Sequence, residues 1–149
     1  ASLARAHFQN ADYDQASNQF TQDGLKELSA AAVAWNHYLQ LKPPKPDDQT
    51  ANLMVQAFSD VGLKKPDKAV EAMEVVLAGR KPTAGLYGNY AILAYTAGQS
   101  RKGDLAVKKA VELAPKANKK SLKAQLDAAK SQALVQSAQS QQAPAVSGG

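Results

Sequence analysis

The sequence predicts an all-α protein made of antiparallel helix hairpins, and three observations predict it. Hydrophobic residues make up 44% of the chain but aromatic ones only 6%, so Ala, Leu and Val must fill the core. Ala and Leu, together with Lys and Gln, favour helix. Pro and Gly punctuate the chain at short intervals, and the stretches between them are of helical length. Within those stretches apolar residues recur three and four positions apart, while the β-branched alternation of strands is nearly absent.

Taken in order, residues 2–9 form a short first helix. Asp12 then offers an N-cap with Gln15 three positions on as its capping-box partner, which predicts a helix over 13–22 with Ala16 and Phe20 on one face. Leu3, Ala6, Tyr13, Ala16 and Phe20 also align as one stripe, so a single bent helix is the alternative. Gly24 ends this piece. Leu25, Leu28, Ala32, Trp35 and Leu39 predict a helix over 25–41. Pro43, Pro44 and Pro46 stop it, because proline cannot continue a helix interior. A helix over 50–61 follows, capped by Thr50 or Asp48, with Met54, Val55 and Phe58 on its apolar face.

Pro66 opens a helix over 66–78 carrying Ala69, Val70, Met73, Val76 and Leu77, and Gly79 is placed as its left-handed terminator. Thr83 caps a helix running to about residue 97 with Leu86, Tyr87, Tyr90, Ala91, Leu93 and Ala94, closed by Gly98. Asp104 lies near the start of the next, which carries Leu105, Val107, Ala110, Val111 and Leu113 and ends before Pro115. A last helix over 118–135 turns Leu122 and Leu126 inward and Lys119, Lys120, Lys123 and Lys130 outward. Residues 136–149 are rich in Gln, Ser and Ala, carry no charge and hold one proline. Such a stretch buries too little to offset its ordering entropy and reads as a disordered tail. The expected domain is therefore 1–135, followed by a tail over 136–149.

The helix pairs 50–82 and 83–115 repeat. Ala69, Met73, Val76 and Lys81 match Gly103, Val107, Ala110 and Pro115, each 34 positions on. Met54, Val55, Phe58 and Gly62 match Tyr90, Ala91, Ala94 and Gly98, each 36 positions on. The difference falls in the turn 62–66, where insertions are absorbed. On these residues the chain resembles the tetratricopeptide repeat family. Residues 86–115 carry the likeness best, closing on Ala110-Val111-Glu112-Leu113-Ala114-Pro115. Tyr87 stands where the family often has Trp, Ala91 at its small-residue position, Ala94 where Tyr is usual and Gly103 where Ala is usual. The resemblance implies hairpins stacked as a short right-handed superhelix, because one hairpin cannot cover its own apolar face. Ala69 and Gly103 would then sit at close helix crossings, and 118–135 would be the capping helix.

Charge divides unevenly. Residues 1–74 carry 7 basic and 10 acidic side chains, a balance of −3, while residues 75–149 carry 11 and 3, a balance of +8. The absence of cysteine excludes disulfide scaffolds, thiolate metal sites and cysteine nucleophiles. No apolar run approaches the ~20 residues that span a bilayer, and no stretch reads as a signal peptide. The chain begins at Ala1 without an initiator methionine, so an upstream segment is expected, and a soluble part of a membrane-anchored protein is one reading.

Catalytic chemistry is not expected. Phosphate-binding glycine loops, zinc-protease helices and nucleophile elbows are all missing from the sequence. His7 and His37 fall on different helices with no carboxylate pattern around either. Asp47 and Asp48 sit beside prolines at a helix start, where capping accounts for them. No cofactor and no metal are expected.

Tyr87 and Tyr90 are expected in the core. Asn89, Ile92 and Tyr95 follow at i, i+3 and i+6 on another face, and Gln49, Asn52, Gln56 and Ser59 form the equivalent line one repeat earlier. The resemblance places these positions in a concave groove lined by first helices. Amides there pair with peptide N–H and C=O groups, and Tyr95 adds apolar area. The family's clamp for a carboxylate-ended peptide uses Lys, Arg and Asn; Asn89 matches one place, while the other aligned positions lack Lys and Arg. The expected function is a non-catalytic scaffold that binds a peptide or partner helix. The alternative is docking on nucleic acid or an anionic lipid surface through residues 101–130, which hold Arg101, Lys102, Lys108, Lys109, Lys116, Lys119, Lys120, Lys123 and Lys130.

Overall fold

The structure, a computed structural model, describes residues 1–142. It is mostly helical. Among the described residues there are seven α-helices and one two-stranded hairpin. The chain divides into two compact units, Ala1–Pro82 and the part from Thr83 onward.

In the first unit, α1 (Ser2–Asn10) packs on α2 (Gln22–Gln40), and α3 (Asp48–Ala57) packs on α4 (Pro66–Gly79). Leu28, Trp35, Met54, Phe58, Val70 and Val76 fill the core, as the three-and-four spacing requires. Between α1 and α2 the expected helix over 13–22 is replaced by a hairpin of β1 (Tyr13–Asp14) and β2 (Gln19–Phe20). Local polar chemistry decides this. The Asp14 carboxylate accepts from Ala16 N–H and Ser17 Oγ–H, which turns the chain. Asn18 adopts φ 55°, a left-handed conformation that Asn tolerates. The Tyr13 and Phe20 rings then meet edge-on across the strands at 5.0 Å. The stripe through Leu3, Ala6 and Ala16 does not exist; all three are exposed, Leu3 at 62%.

Other boundaries are also corrected. Gly24 lies in the first turn of α2, which Thr21 caps by accepting from Gly24 N–H at 3.0 Å. It is buried because the Asp12 carbonyl occupies the place of its side chain. Helix α3 starts earlier than expected, on an Asp47 cap, and Thr50 lies inside it, fully buried. Gly79 is the last residue of α4 and is not left-handed; the chain leaves extended at Arg80, whose Nε donates to Asp48 at 2.7 Å.

The second unit holds α5 (Ala84–Thr96), α6 (Ser100–Leu113) and α7 (Lys119–Gln142), all packed on one another. Thr83 caps α5 as expected, and Gly98 at φ +71° makes the turn into α6. Ala91, Tyr95, Ala106, Val107, Ala110 and Leu126 form the core, with Tyr87, Tyr90 and Leu122 packed against it. Helix α7 does not stop at Val135 but runs to Gln142; the rest of the expected tail lies outside the described residues. This unit carries nine basic side chains against three acidic.

Candidate functional site

The amide line of the first unit is partly where the sequence places it. Gln49, Asn52 and Gln56 lie on α3 at i, i+3 and i+7, a spacing that keeps one helix face. Gln49 and Gln56 are exposed and Asn52 is half-buried. Ser59 falls in the turn after α3, off the helix.

On α5, Asn89 and Ile92 are exposed, Ile92 at 44%, and Thr96 continues their face. Tyr95 does not belong to it. An i, i+3, i+6 series drifts about 120° around a helix of 3.6 residues per turn, which carries Tyr95 off the Asn89 face and onto α6. It is 5% exposed. A Cβ on Gly103 would overlap its ring, so glycine at 103 is what lets the two helices meet there. The predicted close crossing at Gly103 is present, and its occupant is the residue expected in the groove.

A polar cluster joins the three helices of the second unit at this point. The Tyr95 hydroxyl donates to Asp104 Oδ1 at 2.8 Å, and Lys130 of α7 donates to both Asp104 oxygens at 2.7 and 2.9 Å. The Lys130 ammonium also lies 5.7 Å from the Tyr95 ring centroid. Lys130, and then the Tyr95 hydroxyl, hold the Asp104 carboxyl below its ordinary value. Burial, and then the Asp104 carboxylate, push the Tyr95 phenol well above its own. Beside the cluster a cleft of about 350 Å³ opens between α6 and α7. Tyr95, Val107 and Val111 contribute its apolar lining, and Lys108, Lys123 and Asp127 its charged one.

The first unit has its own polar cluster. Arg5 of α1 donates to Asp47 at 3.0 Å and to Thr50 Oγ1 at 3.1 Å. The Thr50 hydroxyl donates to Asp47, and Asp47 N–H donates to the Tyr38 hydroxyl at 2.9 Å. Burial pushes the Asp47 carboxyl up, but the Thr50 backbone and hydroxyl bonds, Arg5 and the Gln49 N–H together hold it below its ordinary value. The cluster fastens three helices around the cap of α3. His7, expected without a carboxylate, meets Glu27 at 2.7 Å, whereas His37 is exposed. Among the described residues no three His, Asp or Glu side chains stand together as a metal site, and no helix is long and apolar enough to cross a membrane.

Sequence reasoning missed Arg5 and the Asp104–Lys130 pair. Both join residues far apart in the chain, and no local pattern marks such partners. In comparisons with known proteins, no family model, no curated protein and no solved structure matches this chain.

Proposed function

We propose that this chain is a non-catalytic helical-repeat scaffold of the tetratricopeptide kind, holding another protein on the exposed face of α5. The 34- and 36-residue offsets support the repeat and the superhelical stacking it implies. The observation that carries the function is the outer face of α5. Ile92 stands exposed there in line with Asn89 and Thr96, an apolar contact flanked by hydrogen-bonding groups. Such a face can bury the aliphatic side chain and pair with a partner's polar groups at the rim. Gln49 and Gln56 on α3 offer a second set of amides.

The test captures a partner on the immobilised chain from a lysate of the source organism and titrates the purified partner against variants. Ile92→Asp and Asn89→Ala are expected to weaken binding, the former by about tenfold, with helicity unchanged. If Lys119→Glu and Lys120→Glu together abolish binding while both α5 variants leave it untouched, the scaffold reading falls. Docking of the basic segment on nucleic acid or anionic lipid then takes its place.

A further inference from the structure

The cleft between α6 and α7 is absorbed neither by the α5 face nor by the core. Its floor is aliphatic: Val107 is buried and Val111 half-buried. Its rim is charged, and the charges are unequally satisfied. Asp104 is held by Lys130 and Tyr95, and Asp127 by Lys123. The third carboxylate of the unit, Glu112, takes Lys109. Lys108 is exposed at the same rim and has no ion-pair partner among the described residues. Next to it on α6, one turn towards the N-terminus, Leu105 is 63% exposed, and Arg101 continues that face. A cation thus stands between an exposed leucine and an aliphatic pocket, on a unit with nine basic and three acidic side chains.

We propose that this cleft binds an acidic segment of a partner protein, an Asp- or Glu-rich stretch whose single aliphatic side chain enters between Val107 and Val111 while a neighbouring carboxylate meets Lys108. The inference rests on the scaffold reading and names the partner chemistry of a second face. Charge complementarity selects an anionic occupant. The floor selects a peptide over nucleic acid, since bases bind by stacking on open aromatic faces. The one aromatic ring here, Tyr95, is covered by α6 and by Lys130.

The experiment uses the full chain and three fluorescein-labelled probes followed by anisotropy: a short Asp/Glu peptide with one central leucine, the same peptide with serine for leucine, and a single-stranded oligonucleotide. The leucine peptide is expected to bind about tenfold more tightly than the serine peptide and the oligonucleotide. Lys108→Glu and Leu105→Ser, both on the surface, should each weaken it several-fold with unchanged circular dichroism. Lys116→Glu, outside the cleft, should leave it within about twofold. Equal binding of the two peptides, tighter binding of the oligonucleotide, or equal losses from Lys116→Glu and Lys108→Glu each overturn the proposal. Ile92→Asp should not affect this probe. A partner that depends on Ile92 while the leucine peptide fails would leave the scaffold standing and remove the cleft.

Discussion

Tyr95 and Gly103 occupy one space: the aromatic ring lies where any side chain at 103 would begin. The contact fixes the crossing of α5 on α6 and turns the Tyr95 hydroxyl onto Asp104. Its displacement is costly on both sides, because the ring is buried and cannot swing out to solvent. Gly103→Ala is therefore expected to destabilise the protein by about 1–3 kcal/mol, and Gly103→Leu by at least as much. Urea denaturation measures it. A gain in stability would mean that the crossing is looser than described.

Tyr95→Phe keeps the ring and removes only the donor to Asp104. The expected loss is about 0.5–1.5 kcal/mol, with binding to the α5 face unchanged. Tyr95→Ala, by contrast, empties a core position and should cost about 3–5 kcal/mol. It is consequently no probe of binding. Paired thermal melts of the two variants separate the hydroxyl from the ring.

Asp47 caps α3 and anchors Arg5. Asp47→Ala should cost about 1–2 kcal/mol, and Asp47→Asn less, since an amide oxygen still caps. The same carboxylate gives a pH dependence. Asp47 and Asp104 both lie below their ordinary value of 3.8 in the folded protein. Their stabilisation is complete above the unfolded value and is lost as pH falls through the folded one. Melting temperatures should hold steady down to about pH 5 and decline below about pH 4. The decline should be shallower in Asp47→Asn.

Cutting the chain after Pro115 removes Leu126, which is buried against α5 and α6. The second unit should lose its cooperative melt, because an end hairpin needs a cover. Cutting after Val135 removes none of the described residues that pack on this core and should shift the melting temperature by no more than about 2 °C. Calorimetry of the two truncations checks both expectations.

Much of the helix pattern could be read in advance, because Pro66 and Thr83 stand where helices begin and Pro43, Gly98 and Pro115 just after helices end. The failures have physical sources. Asp12 and Gln15 fit a capping box, but the turn chemistry of Asp14 and Asn18 outcompetes the helix. Asn89, Ile92 and Tyr95 look collinear at steps of three, yet the helix rotates the last of them away. Arg5 finds Asp47 across 42 residues and Lys130 finds Asp104 across 26. Pairings at that separation depend on how helices pack, which a single sequence does not encode locally.

The hairpin between α1 and α2 has a practical consequence. Its tip over 15–18 is exposed, and the turn is held by its own polar groups rather than by the core. The native chain contains no thiol. A cysteine in place of Ala16, which is exposed, would be the only thiol in this sequence and so a selective handle for thiol chemistry. A spin label or fluorophore attached there would report on tumbling and on the approach of a partner, while the faces of α3, α5 and α6 stay as nature made them.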